Sequence, residues 1–338
     1  MPRILSSYHG LIRTIGDILE RGRHRAYVAV DNILVETYWN IGREIVTYEQ
    51  KGKERAEYGS ELLRRLSGDL KIRYGRGFSV SNVYAMRQFY IKYQKFQTVS
   101  GKLTWSHYTV LLSISDDLGR GFYEKQCLNE AWSVRELDRQ VNSMLFERIA
   151  LSKDKKGVLE ISKKGQLVTK GEDAVKEPYV LEFLGIPQGL KYSEKELEQR
   201  IIDNLQMFLL ELGKGFAFVG RQYRLSFGSK HFYVDLVFYH RILKCFVLVD
   251  LKIGHVDHLD IGQMNMYLNY FKKEEMTPGD ADPIGIILGA DKKDHALVEY
   301  ALGGISDKLF VSKYQLYLPD RRLLQTKLKT LMEKDYGK

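Results

Sequence analysis

The sequence predicts an all-α domain followed by an α/β domain, and three observations carry that expectation. Apolar residues recur at helical spacing through almost all of residues 1–150. Beyond residue 193, a helical stretch gives way to short strand-like runs, another helix, a wholly apolar run and a last helix. That order describes a mixed sheet flanked by helices. Residues 151–178, between them, are polar, rich in Lys and Gly, and closed by Pro178, so they are expected to be a mobile linker with room for one small hairpin. At 338 residues the chain can build two separate cores, here expected in 1–150 and 179–338.

The elements follow in order. Val28, Val30, Ile33, Leu34, Tyr38 and Ile41 mark one helical face, and Leu62, Leu63, Leu66, Leu70 and Ile72 a second. Gly75 and Gly77 interrupt the pattern. Ser79 then offers an N-cap to a helix running through Tyr84, Met86, Phe89 and Tyr93. Further helices are expected over 104–114, 119–131 and 133–149, the last opened by a Ser133/Glu136 capping box. In the second domain a helix over 193–212 ends at Gly213. Strands are expected at Phe216–Val219, His231–Tyr239 and Lys244–Leu251, the last two forming a hairpin around Tyr239–Leu243. A helix at 257–273, an apolar strand at Ile284–Leu288, a helix at Asp291–Tyr300, a strand at Lys308–Ser312 and a helix after Pro319 complete the series.

Composition narrows the function classes. Apolar residues at 44% and charged residues at 28% describe a soluble globular chain. Two cysteines, Cys127 and Cys245, are too few for a disulfide framework, which points to a reducing cytoplasm. No apolar run follows a basic start, and none approaches ~18 residues, so neither a signal peptide nor a membrane span is expected. The sequence has no Gly-x-x-x-x-Gly-Lys-(Ser/Thr) loop and no Gly-x-Ser-x-Gly elbow, which disfavours an ATP-driven motor and a serine hydrolase. His255 and His258 have a zinc-compatible spacing without a third or fourth ligand nearby, and read as ordinary surface histidines.

The charge is more informative. Lys and Arg number 52 against 43 Asp and Glu, a net +9, and residues 51–110 hold 12 basic against 4 acidic side chains. Such an excess suits a polyanion. The two helices flanking Gly75 and Gly77 resemble a helix-turn-helix in layout. The second would present Ser81, Asn82, Tyr84, Arg87 and Gln88 to phosphates and base edges. The alternative is an antiparallel helix pair with solvated charges, and the turn is longer than the usual three or four residues.

Charges also stand where strands should be apolar. Asp235 lies inside Phe232–Tyr239, and Asp250 and Lys252 end the run that begins at Cys245. Strand side chains alternate, so Asp250 and Lys252 share a face that Asp235 can approach if the strands pair. Two converging carboxylates call for a hard cation such as Mg²⁺, and a lysine beside them can handle a water or a phosphate. A plain ion pair at a strand end is the alternative. Gln263 and Tyr267, four apart, share one helix face. Glu198 borders the apolar stripe of the preceding helix, and Arg221, Gln222 and Arg224 suit either flanking phosphates or a solvated strand edge.

These residues resemble a known pattern. Asp235 followed by Asp250-Leu-Lys252 is similar to the Asp…(Asp/Glu)-x-Lys motif of the PD-(D/E)XK nuclease superfamily, and Gln263-Met-Asn-Met-Tyr267 to the Gln-x-x-x-Tyr motif of its RecB-like members. Residues 194–320 resemble the C-terminal domain of bacterial YhcG-like proteins. Phe-Tyr-Val-Asp-Leu-Val-Phe-Tyr, Val-Asp-Leu-Lys-Ile-Gly and Asp-Ile-Gly-Gln-Met-Asn-Met-Tyr are among the matching words. The first half is similar to that family's helical domain in Tyr38-Trp-Asn-Ile-Gly-Arg-Glu-Ile and Trp105-Ser-His-Tyr. The resemblance implies a metal-dependent DNA endonuclease or phosphodiesterase. Asp235, Asp250 and Glu198 would hold Mg²⁺ or Mn²⁺, Lys252 would stand at the attacking water, and Gln263 and Tyr267 would complete the site. It also implies a place in restriction or mobile-element defence. The alternative function is a nuclease fold that binds DNA or assembles without cutting, and homo-oligomerisation is left open. Two departures are Val234 where Pro is common before the first acid, and Asp rather than Glu at 250.

Overall fold

The computed structural model describes residues 8–51, 57–95, 102–151, 153–166, 168–187, 189–291 and 307–333. The chain divides into two compact units, Met1–Leu137 and Asp138–Lys338. No described helix is long and apolar enough to cross a membrane.

The first unit is helical. α1 (Tyr8–Lys51) extends the stripe expected at 28–41 into 44 residues. α2 (Glu57–Tyr74) and α3 (Val80–Lys92) follow, with α4 (Trp105–Ser113) and α5 (Asp117–Glu130) behind them. Ser79 caps α3 as expected, its side chain accepting from the Asn82 N–H at 3.2 Å. Gly42 brings α1 against α3: a Cβ there would lie 2.1 Å from the Met86 carbonyl oxygen, so only glycine permits the contact. The family-like words of this half are core words. Tyr38 meets Trp105 edge-on at 4.8 Å, and the Trp39 Nε1–H donates to the Tyr93 carbonyl at 2.8 Å. His107 Nδ1 accepts from the Thr104 N–H at 3.2 Å, which leaves Nε2–H to donate to the Trp132 carbonyl at 3.0 Å.

The second unit begins within α6 (Val134–Asn142) and continues through α7 (Leu145–Ala150). The single helix expected over 133–149 is broken at Met144, which adopts φ 56°. The division into compact units falls between Leu137 and Asp138, ahead of the boundary expected at 150, and the described residues of the expected linker are folded structure. It contains α8 (Lys155–Lys164) and a 3-10 turn, Gly171–Ala174, and it buries Val158, Ile161 and Ala174. A buried Glu211 anchors the elements on either side. Its carboxylate accepts from Arg148 at 2.7 Å, Arg139 at 3.2 Å and the Val180 N–H at 3.0 Å.

The sheet has six strands: β1 (Tyr179–Val180), β2 (Phe216–Phe227), β3 (Lys230–His240), β4 (Cys245–His255), β5 (Ile284–Asp291) and β6 (Leu309–Gln315). Their spatial order is β1-β6-β5-β4-β3-β2. β1, β6, β5 and β4 run parallel to their neighbours, while β4–β3 and β3–β2 are antiparallel. β5 lies near the middle, and Ile286, Ile287 and Leu288 are buried on both faces, which explains its unbroken apolar run. α9 (Glu194–Asp203) and α10 (Leu205–Leu212) cover one face through Leu197, Ile201 and Phe208. The helix expected over 193–212 breaks at Asn204 between them. α11 (His258–Tyr270) covers the other face through Ile261, Met264 and Leu268. α12 (Arg321–Glu333) is the helix expected after Pro319. The strand expected at Phe216–Val219 runs on to Phe227, and Asp291 ends β5. The rest of the helix expected at 291–300 lies outside the described residues.

Candidate active site

The chemistry gathers where β3 and β4 part. Their ladder runs from His240↔Cys245 to Leu236↔Val249. Asp235 stands one residue beyond that last pair, and its Oδ2 accepts the Leu251 N–H at 2.8 Å. A side chain thus satisfies an amide that a continuing ladder would have bonded. β4 remains paired with β5 on its other side, Asp250↔Ile287 and Lys252↔Gly289, which holds the Asp-Leu-Lys segment straight. Val249 and Leu251 point into the core under α9 and α10, and Asp250 and Lys252 take the opposite parity.

Lys252 Nζ lies 2.8 Å from Asp250 Oδ2 and 3.4 Å from Asp260 Oδ1 at the start of α11. Asp235 Oδ1 accepts from Gln222 Nε2 at 3.0 Å, and the same amide donates to Glu198 Oε2 at 2.7 Å. A chain of contacts therefore joins α9, β2, β3 and β4. Gln222 reaches both acids from a left-handed backbone, φ 47°.

The electrostatics follow from burial. Asp250 is only 5% exposed, and burial, reinforced by the neighbouring Asp235 charge, pushes its carboxyl up to about 6 despite Lys252. Burial likewise raises Asp235, aided by Glu198 and opposed by the Leu251 amide, Lys252 and Gln222. At Lys252 burial works against the charge. Asp250, Asp260 and Glu194 overcome it and hold the ammonium above its usual range.

Gln263 and Tyr267 support this arrangement from α11. Gln263 Nε2 donates to the Tyr267 hydroxyl, which donates to the Tyr233 carbonyl at 3.1 Å. Tyr267 is buried in the core, so it braces β3 two residues ahead of Asp235. Burial raises its phenol, and the charges of Asp250 and Asp235 add to that rise.

The donors fit a hard divalent cation. Asp235 and Asp250 supply carboxylate oxygens, burial above all raises their affinities for protons, and Glu198 is one amide away. Among the described residues, no group of three or more His, Cys, Asp or Glu side chains stands gathered as a ligand set, and Glu198 meets Asp235 through the Gln222 amide.

The remaining expected site residues separate. Arg221 Nη1 donates to Gln199 Oε1 at 2.8 Å, and Arg224 meets His231 at 2.9 Å. Both are exposed on β2. In the first unit, the expected nucleic-acid face of α3 is largely spent on structure. Arg87 Nε lies 2.8 Å from Glu49 Oε2, while Asn82 donates to the Gly77 carbonyl and accepts from Trp105 Nε1 at 2.7 Å. Gln88 is half-buried beside them. Arg87 Nε and the Asn82 amide thus each have a partner within this unit. Exposed Arg64, Arg65, Lys71 and Arg73 lie instead on α2, with Arg76 just beyond it. A groove of about 720 Å³ between α1 and α2 is lined mainly by Ile41, Ile45, Leu62, Leu66 and Phe78, and is apolar rather than catalytic.

Sequence reasoning missed the roles of Asp260 and Gln222. Asp257-x-x-Asp260 reads as a capping box, and it is one: the Asp257 N–H donates to Asp260 Oδ2 at 2.9 Å. The acid's second use, beside Lys252, depends on where α11 begins in space.

Comparison with known proteins places both halves. Residues 172–329 match the YhcG PDDEXK nuclease domain, and residues 14–148 match the DUF1016 N-terminal domain. A curated protein of Escherichia coli (strain K12), described as "Putative nuclease YhcG", is 40% identical over 92% of this chain and 91% of its own length. Among solved structures, a repair endonuclease from Pyrococcus abyssi aligns at 20% identity and a TM-score of 0.27, over 39% of this chain and 50% of that one. An EndoMS–dsDNA2 complex aligns at 18% identity and 0.28, over 40% and 49%.

Proposed function

The chain belongs to the YhcG family of PDDEXK nuclease-domain proteins, and from that premise we propose that it is a metal-dependent nuclease that hydrolyses phosphodiester bonds in DNA. The single observation that carries this reading is the meeting of Asp235, Asp250 and Lys252 at the point where β3 and β4 part. An apolar sheet would gain nothing from burying two acids there unless a cation were to join them.

Asp235 and Asp250 would hold Mg²⁺ or Mn²⁺, with Glu198 as a third oxygen donor once Gln222 releases it. Bound there, the ion would polarise the phosphoryl group and supply hydroxide near neutral pH. Asp250, Asp260 and Glu194 favour the charged form of Lys252, which would stand as a positive charge toward the phosphate and the attacking water. Asp260 and Asp250 together aim its ammonium, and Tyr267 fixes the β3 backbone that carries Asp235. Arg221 and Arg224 line the exposed neighbouring strand and would meet flanking phosphates. The exposed basic side chains of α2 and the turn after it would supply sequence-independent attraction to the duplex.

The test is cleavage of duplex, branched and single-stranded DNA, with RNA alongside, in Mg²⁺, Mn²⁺ or EDTA. Cleavage should require the metal and fall at least ~100-fold in Asp235→Asn, whose amide oxygen can still accept from Leu251. Metal-independent cleavage, or cleavage unchanged in Asp235→Asn, would sink the assignment. Binding without cleavage of any substrate would establish the non-cutting alternative.

A further inference from the structure

We infer that the N-terminal half of α1 is a self-association element that pairs antiparallel with the same segment of a second copy of this chain. From Leu11 to Leu34 the helix carries large apolar side chains into solvent: Ile12 is 51% exposed, Ile15 47%, Leu19 55% and Ile33 64%. Among the described residues nothing covers them. A helix with such a face is marginal alone in water and owes its stability to packing.

The spacing names the kind of partner. Ile12, Ile15, Leu19, Gly22, Ala26 and Ala29 alternate in steps of three and four, the repeat of a helix–helix seam, and every seam position is apolar or glycine. Gly22 has nothing within 4 Å of the position its Cβ would take. Its cost to an exposed helix, about 1 kcal/mol against Ala, therefore meets no requirement inside this chain. A closely approaching second backbone would supply that requirement.

Size and charge select a second copy and its direction. The seam is large in its first half and small in its second. Antiparallel pairing sets Ile12 over the partner's Ala29, Ile15 over the partner's Ala26 and Leu19 over the partner's Gly22, so each large side chain meets a small one. Parallel pairing would stack large on large and leave gaps at the glycine. Asp17 and Glu20 lie in the first half beside a single base, Arg13, and Arg21, Arg23 and Arg25 lie in the second. Antiparallel copies place acids beside bases, whereas parallel copies place the arginines together. Within the helix, Arg23 Nη1 meets Glu20 Oε1 at 3.2 Å and Arg21 Nε donates to the Asp17 carbonyl at 3.0 Å, both exposed, and the ion pair is weak. Packed over about 30 Å, two such faces would bury on the order of 1,200 Å², the lower end of specific stable interfaces. The arrangement is isologous and closed, so it ends at a dimer.

The experiment uses the full-length protein. Light scattering at tens of micromolar should give twice the 39.3 kDa chain mass. Leu19→Glu should give a single chain with its second unit melting unchanged, since a charge in the seam should weaken association by ~100-fold or more. Cysteine linking tests the direction, because native Cys127 and Cys245 are buried. Under mild oxidation the double variant Ile15→Cys/Ala26→Cys should form linked dimers, and Ile15→Cys alone should not. A wild-type monomer, a dimer indifferent to Leu19→Glu, or linking by Ile15→Cys alone would each overturn the inference. The inference is independent of catalysis: loss of cleavage with an intact dimer would leave it standing.

Discussion

Replacing Asp250 with Asn should abolish cleavage and, at the same time, stabilise the metal-free protein. Asp250 carries its charge in a site only 5% exposed, beside Asp235, and its carboxyl has risen from an ordinary 3.8 to about 6. A folded-state value above the unfolded one means that folding favours the protonated acid. The resulting stability is fully present below about pH 3.8 and is lost as pH rises through about 6. At pH 7.5 the ionised group therefore costs about 3 kcal/mol, at ~1.36 kcal/mol for each unit of displacement. Asn removes that cost. Lys252 loses its 2.8 Å partner but keeps Asp260 at 3.4 Å, and that loss is already contained in the displaced value. A stabilisation of up to about 3 kcal/mol should raise the Tm of this unit by roughly 6–12 °C. The assay is thermal unfolding by circular dichroism in EDTA, wild type against Asp250→Asn, at pH 7.5 and again near pH 3.8. The Tm gap should be clear at the higher pH and close at the lower. An Asp250→Asn variant that melts at or below wild type at pH 7.5 would falsify the claim that burial and Asp235 crowd this acid.

Two other outcomes follow from single contacts. Glu211→Gln should destabilise the second unit by about 3–5 kcal/mol in urea unfolding at pH 7, because it leaves Arg148 buried without its counter-charge and Arg139 with Glu182 alone. Burial pushes Glu211 up, yet Arg148, Lys176 and Arg139 bring it down to about 2. Its stabilising effect is thus present above 4.5 and lost as pH falls toward about 2, and the wild-type advantage should shrink over that range. Gly42→Ala should lower the melting point of the helical unit, since a Cβ 2.1 Å from the Met86 carbonyl oxygen must push α1 and α3 apart. The cost, about 1–3 kcal/mol, exceeds the ~1 kcal/mol that Ala gains in helix propensity. An unchanged melting point would show that the helices can separate freely there.

Much of this was legible in the chain. The apolar run at Ile284–Leu288 reads as a strand buried on both faces because nothing polar interrupts it. Ser79 and the Ser133/Glu136 pair announce helix starts through local hydrogen bonds that need no distant partner. The parity of Asp250 and Lys252 follows from strand geometry alone, and their ion pair confirms it. Residues 151–178 were harder to read. Their polar surface resembles a linker, but Val158, Ile161 and Ala174 are spaced to be buried against neighbours distant in sequence. The contacts of Arg87 and Asn82 likewise depend on neighbours distant in sequence. Both types suit nucleic acid, and only the approach of α1 and α4 shows that Glu49 and Trp105 already hold them.

The sequence by itself determined what local chemistry can determine: which segments are helix or strand, which strand positions carry charge, and that two acids and a lysine stand at one end of a sheet. The tertiary structure decided the rest. It set Asp235 to satisfy the Leu251 amide, put Gln222 between Glu198 and Asp235, and gave Lys252 a second acid in Asp260. Periodicity and capping arise from neighbours a few residues apart and are written in the order of side chains. The affinity of Asp250 for its proton depends on burial and on a charge fifteen residues away, and exists only once the strands have paired.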